Sequence, residues 1–86
     1  MTRFKGRVRV MPRTGLLDPQ GTAVAHALGA LGFAQVGDVR VGRTLEVLIE
    51  ANSEPEVRDR LRDMCDRLLA NLVTEDYTID TVEAVT

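Results

Sequence analysis

The residues from Phe4 to Met11 alternate between an apolar set and a largely basic set. A period of two places successive side chains on opposite faces of a β-strand. Pro12 ends this strand, because proline lacks the N–H that a neighbouring strand would need. One face must therefore meet a core, and the face that carries Lys5, Arg7 and Arg9 must meet water or acidic neighbours.

A first helix is predicted from Pro19 to Leu31, because the segment has both a start signal and a stop signal. Asp18 suits the N-cap, and Pro19 suits the first helical position, where its missing N–H costs nothing. Gly32 supplies the left-handed residue that often ends a helix. An apolar stripe lies beside many alanines and an interior glycine. Close packing on the chain's own sheet is the favoured explanation, and close approach by another chain is the alternative.

The middle of the chain reads VGDVRVGRTLEVLIEA. Alternation predicts one short strand around Val39–Val41 and another around Leu45–Ile49. A tight turn at Gly42 and Arg43 would join them. The alternative is a single long strand with a bulge at the glycine.

A second helix begins at Ser53, where a serine followed three residues later by Glu56 forms a capping box. Its apolar stripe is Val57, Leu61, Met64 and Leu68. Asn71 is predicted to end the helix in a left-handed conformation. The last strand is predicted over Val73–Val82, and Glu75 falls on its inward face, where a carboxylate needs a partner.

The order strand, helix, strand, strand, helix, strand predicts an α+β fold, the ferredoxin-like split βαβ sandwich. Two helices would cover one face of a four-stranded antiparallel sheet in one domain, residues 1–86. Right-handed connections place the basic first strand between the third and fourth strands. Their outward residues are acidic, so cross-strand charge pairs are expected; these acids are Glu46, Glu50, Asp76 and Asp80.

Composition restricts the possible partners and chemistry. The net charge of -2 and the lack of aromatic residues on the outer sheet face argue against nucleic acid. No apolar run reaches the roughly 20 residues of a membrane span, so a cytoplasmic protein is expected. A single cysteine excludes an internal disulfide, which leaves oligomerisation as a source of further stability. Met11 and Leu48 on the outer sheet face are the candidates for self-association.

Catalytic residues are not evident in the sequence. His26 is the only histidine, and it has no serine or cysteine partner at a suitable spacing. Cys65 lies beside the apolar stripe of the second helix, where a buried, unreactive thiol is expected. No nucleotide-binding glycine loop and no metal motif is present. A domain that self-associates is favoured, while a regulatory domain that senses a small molecule and a stand-alone enzyme remain alternatives.

Five blocks in order, GLLDPQGTAV, ALGALGF, VRVGRTLEV, MCDRLLAN and VTEDYTID, resemble the PurS family over about Phe4 to Asp80. The family comprises small subunits of phosphoribosylformylglycinamidine (FGAM) synthase of purine biosynthesis. Leu72 is a departure, because the family commonly has proline there.

The resemblance implies a non-catalytic assembly subunit with no cofactor of its own. ATP and Mg would be used by the PurL synthetase subunit, and glutamine by the PurQ glutaminase subunit. The chain would form a homodimer or a dimer of dimers, bridge these two partners and support ammonia transfer. Candidate partner contacts lie in the matching blocks, in loops or at helix starts, although turn and cap geometry would equally explain them: Asp18, Gln20, Arg40, Gly42 and Arg43.

Overall fold

The computed structural model describes residues 1–85, which form one three-stranded antiparallel sheet and two α-helices. The elements are β1 (Thr2–Pro12), α1 (Pro19–Ala30), β2 (Arg43–Ala51), α2 (Glu54–Met64) and β3 (Glu75–Val85). A π-helical turn, Cys65–Leu69, continues α2. The strand order is β2-β1-β3, with β1 in the centre as predicted. The predicted class, a ferredoxin-like α+β fold, is confirmed, but the predicted four-stranded sheet is wrong: the sheet has three strands and the element order is β-α-β-α-β, because the segment around Val39–Val41 is not a strand.

The outer face of the sheet carries a ladder of ion pairs between the basic central strand and its acidic neighbours. Arg7 lies opposite Glu46, and their charged atoms are 2.8 Å apart. On the other side, Arg9 lies 3.3 Å from Asp80. These side chains are about half exposed, so each pair is worth at most about 1 kcal/mol. The ladder confirms the predicted charge pattern. Its contribution to stability is small, and its main effect is to favour the order in which the basic strand lies between two acidic strands.

The inner face of the sheet packs against α2. The capping box forms as predicted, since the Glu56 N–H donates to Ser53 Oγ and the Asn52 N–H donates to the Glu56 carboxylate. Gly6 allows the close approach of Leu61, because a Cβ at Gly6 would overlap the leucine side chain. The largest fully buried core side chains are Val8, Val10, Val57, Leu61 and Cys65.

Helix α1 lies apart from this core. Its stop signal is confirmed: Gly32 has a φ of +99°, and the Phe33 N–H donates to the carbonyl of Leu28. Gly21 is the one buried residue of the helix. Close packing of α1 on its own sheet, which the sequence favoured, is not observed, since α1 has almost no contact with the other helices and strands.

The position of α1 makes the chain elongated. The Cα atoms span 52 × 28 × 14 Å, with a radius of gyration of 16.5 Å. A compact domain of this length would have a radius of gyration of about 12 Å. No helix within residues 1–85 is both long and apolar enough to cross a bilayer.

Two local predictions are wrong. Val39–Val41 is not a strand: the Val41 N–H donates to the Asp18 carboxylate instead of to a sheet ladder. β2 begins at Arg43, so neither the two-strand hairpin nor the single long strand is present. Asn71 is not left-handed, because positive φ occurs only at two glycines within residues 1–85. Its side-chain oxygen instead accepts from the N–H of Val73.

Replacement of Leu61 by alanine should destabilise the fold by about 2–5 kcal/mol, because it opens a cavity under α2. Urea unfolding at fixed protein concentration measures the change. The matched control is Leu68→Ala, since Leu68 is 82% exposed and should change stability by less than about 0.5 kcal/mol. Equal effects of the two substitutions would contradict this description of the core.

Candidate partner-docking site

Asp18 joins the start of α1 to the segment that precedes β2. One carboxylate oxygen accepts from the Gly21 N–H at 3.0 Å, which is the predicted N-cap. The other accepts from the Val41 N–H at 2.8 Å. These hydrogen bonds, together with the nearby Arg40 charge, hold the pKa of the Asp18 carboxyl below its ordinary value. Asp18 is therefore both a helix cap and a link between two segments that are distant in sequence.

Two glycines allow the chain to pass closely at this junction. A Cβ at Gly21 would collide with the carbonyl oxygen of Val39. A Cβ at Gly42 would collide with the Val10 carbonyl and with Met11 Sδ. The segment from Val39 to Gly42 is thus held between the first turn of α1 and the end of β1. This close packing fixes the direction in which α1 leaves the sheet.

Arg43 is held by groups within the same chain. Its guanidinium forms two hydrogen bonds with the Glu75 carboxylate, at 2.6 and 3.1 Å, and a third with the Leu69 carbonyl at 2.6 Å. Glu75 also accepts from the Asn71 N–H at 2.8 Å. The ion pair lowers the pKa of Glu75 and raises the pKa of Arg43. Arg43 is the partner that the inward-facing Glu75 needed.

The structure brings the five predicted partner-contact residues to one end of the sheet. We call them the junction residues: Asp18, Gln20, Arg40, Gly42 and Arg43. Gln20 and Arg40 are exposed, whereas Asp18 and Arg43 already bond within the chain. Of the two self-association candidates, Met11 is half-buried against Gly42, and Leu48 is 62% exposed on the outer sheet face. Met11 therefore lies beside the junction residues, and Leu48 does not.

The loop before α1 carries apolar residues that the sequence analysis did not single out. Leu17 is 94% exposed, and Leu16 is 46% exposed. With Pro12 and Glu75, they line an open groove of about 570 Å³ beside the junction. Two adjacent leucines outside any predicted helix were the available signal. Their exposure adds an apolar surface next to the polar junction residues.

Cys65 and Tyr77, in the π-helical turn and on β3, both have raised pKa values. Burial raises the pKa of Cys65, which keeps its thiol neutral. The hydroxyl of Tyr77 donates to Asp66, and burial together with this bond raises the tyrosine pKa. Within the part of the chain that the structure describes, no three His, Cys, Asp or Glu side chains come together to hold a metal ion.

The Asp18 link should make stability depend on pH. Because folding lowers its pKa, its contribution is complete above the ordinary value of 3.8 and is lost as the pH falls from that value through the lower pKa of the folded state. Between about pH 5 and pH 3, wild-type protein should therefore lose more stability than Asp18→Asn does. Urea midpoints across this range measure the difference, and Asp38→Asn is the nearby control. Parallel pH profiles for wild type and Asp18→Asn would contradict the role of the carboxylate.

Replacement of Arg43 by lysine should loosen the connection between the π-helical turn and β3, because lysine cannot form the two-bond pair with Glu75. Hydrogen exchange of the amides from Asn71 to Glu75 should accelerate by about fivefold. The control is Arg67→Lys, whose pair with Asp63 is largely exposed. Unchanged exchange in the Arg43 variant would show that the ion pair does not hold this loop.

Comparison with known proteins supplies the family. The model of the family described as PurS, phosphoribosylformylglycinamidine (FGAM) synthase, matches residues 5–83. The chain is 42% identical to the Bacillus subtilis protein named phosphoribosylformylglycinamidine synthase subunit PurS, and the match covers 95% of this chain and 96% of that protein.

Two solved structures show the same fold. Methanocaldococcus jannaschii PurS, described as one of the subunits of formylglycinamide ribonucleotide amidotransferase, has a TM-score of 0.82 at 34% identity and covers 96% of this chain and 99% of its own. A chain in the structure of PurLQS from Thermotoga maritima has a TM-score of 0.82 at 26% identity and covers 99% of this chain and 100% of its own. The chain therefore belongs to the PurS family of FGAM synthase subunits.

Proposed function

We propose that this chain is an assembly subunit of FGAM synthase in de novo purine biosynthesis. As a homodimer, it bridges the PurL synthetase subunit and the PurQ glutaminase subunit and supports the transfer of ammonia between them. The observation that carries this proposal is the family match over nearly the whole chain, which includes a relative found in a PurLQS structure. The elongated chain with an unpartnered helix supports a role in assembly.

The proposed division of labour leaves the chemistry to the partners. PurQ releases ammonia from glutamine, and PurL uses ATP and Mg to activate formylglycinamide ribonucleotide. Ammonia then displaces phosphate and gives the amidine. This chain contributes no catalytic residue and binds no cofactor of its own. Its contribution is to hold the two active sites in an arrangement in which ammonia reaches the synthetase before it escapes to water.

The junction residues supply the proposed contact with a partner subunit. Gln20 and Arg40 are exposed and free to reach across an interface. Asp18, Gly42 and Arg43 keep the local backbone in place, because each is engaged within the chain. The adjacent Leu16–Leu17 pair adds apolar area of the kind that is buried at the centre of interfaces.

Reconstitution with the cognate PurL and PurQ subunits tests the assembly role. Without this chain, glutamine-dependent synthesis should fall at least about tenfold, which corresponds to 1.4 kcal/mol. Ammonia-dependent synthesis should be unchanged, since free ammonia needs no bridge. Loss of neither activity, or equal loss of both, would refute the proposal.

A charge reversal at the junction tests the docking surface. Arg40→Glu should lower glutamine-dependent synthesis at limiting subunit concentration, and an excess of the variant should restore it. The matched control is Arg67→Glu, on the exposed face of the π-helical turn. Equal behaviour of the two variants would place the contact elsewhere while leaving the assembly role intact.

A further inference from the structure

Arg40 and Asp38 differ from most charged residues of the chain. Within residues 1–85, every other arginine forms an ion pair with a carboxylate of the same chain, and Arg40 forms none. Asp38, two residues earlier, has no ion pair in that part of the chain either. Both side chains are exposed. One positive and one negative charge therefore lie close together in the sequence without a partner.

These two charges line a small cavity next to the junction residues, which we call the junction cavity. Its volume is about 140 Å³, and it lies between the loop before α1, the first turn of α1 and the segment that precedes β2. Thr14 and Thr22 add hydroxyl groups to its wall, and a hydroxyl can donate or accept a hydrogen bond. Since liquid water occupies about 30 Å³ per molecule, there is room for about five waters or for a ligand head group of that size.

The other charged groups of the junction cavity are already engaged. Asp18 accepts from two backbone N–H groups, so the N-terminus of α1 is occupied by the protein's own carboxylate. Arg13 lies 3.6 Å from a carboxylate oxygen of Asp76 and also donates to a backbone carbonyl. Arg40 and Asp38 are thus the cation and the anion that can bind a ligand there.

The backbone between the two charges is held in place. The Val39 carbonyl lies directly against Gly21, and the Val41 N–H donates to Asp18. Val39 itself is half-buried, while the residues on either side of it both line the junction cavity. A site whose backbone is already ordered loses less conformational entropy when a ligand binds.

We propose that the junction cavity binds the zwitterionic head group of a free α-amino acid. The α-carboxylate accepts from the Arg40 guanidinium, and the α-ammonium group donates to the Asp38 carboxylate. A zwitterion matches one charge of each sign. A phosphate would instead meet the Asp38 carboxylate, and a simple amine would meet the Arg40 guanidinium. The side chain of the amino acid stays outside, because the volume of the cavity matches the head group alone.

This site is a property of the chain by itself and does not depend on the proposed assembly role. Only the choice of one probe rests on that role: glutamine would be the substrate of the PurQ partner, and it carries the same head group. Glycine presents the head group without a side chain. Comparison of glycine with glutamine therefore separates recognition of the head group from recognition of the side chain.

Amide chemical shifts of the isotope-labelled chain, measured by NMR during ligand titration, test the site. Both charges are exposed, so a dissociation constant of about 1 mM is expected, and the titration extends to about 50 mM. Glycine and glutamine should each cause saturable shifts in residues 14–22 and 38–40, while the amides of α2 stay unchanged. Acetate and methylammonium each carry one half of the head group and should bind at least about tenfold more weakly.

Two variants identify the groups that bind. Arg40→Gln and Asp38→Asn should each weaken glycine binding by about tenfold, because each removes one charge while nearly keeping the size of the side chain. The matched controls are Arg67→Gln and Asp63→Asn, which break a largely exposed ion pair in α2 and the π-helical turn and should bind glycine as wild type does. Unchanged shifts away from the junction cavity show that each variant is folded.

Several results would overturn the proposal. Acetate that binds as tightly as glycine would reveal a simple anion site, and methylammonium that does so would reveal a simple cation site. Binding of glutamine without glycine, or no saturable shift with either amino acid, would also refute it. Binding of glycine alone would support the head-group site and exclude glutamine as its ligand. Each outcome leaves the proposed assembly role untouched, since no partner subunit is present in the titration.

Discussion

The Asp18 carboxylate is the interaction on which the arrangement of this chain depends. It caps α1 and, with its second oxygen, holds the backbone at Val41. The close contacts at Gly21 and Gly42 leave that segment little freedom to move. The helix is therefore a fixed extension of the sheet, and its apolar side is presented to the surroundings. A short capping interaction, with energy comparable to many others, thereby determines which surface of the molecule is left exposed.

Local signals in the sequence were sufficient for most of the fold. The alternating strand at the N-terminus, both helix starts and the charge ladder follow from the nearest neighbours along the chain and across one strand pair. The segment Val39–Val41 was mispredicted, because alternation cannot show whether its N–H groups bond to a strand or to a side chain. The expectation that the inward Glu75 needs a partner is confirmed. That partner is Arg43, 32 residues away in sequence.

The position of α1 is the feature that the sequence could not provide. An apolar stripe predicts that one face of a helix is covered, but it does not show whether the same chain or another chain covers it. The same limit applies to the candidate site. The five junction residues were selected from matching blocks, and the structure places them together at one end of the sheet, yet only side-chain geometry shows that Arg43 is engaged internally and that Leu17 is exposed. The sequence thus identified the region of the junction residues. The structure shows which of them hold the local backbone and which face outward.

An assembly subunit with these properties would leave apolar surface exposed to water as an isolated chain. Its core lies under α2, while α1, which carries no Asp, Glu, Lys or Arg, has almost no contact with the other helices and strands. The most direct measurement is sedimentation equilibrium of the purified chain without partners, at micromolar concentration. The account predicts a mass of about twice 9.5 kDa, or a multiple of that pair. A stable species of 9.5 kDa across the concentration range would contradict it.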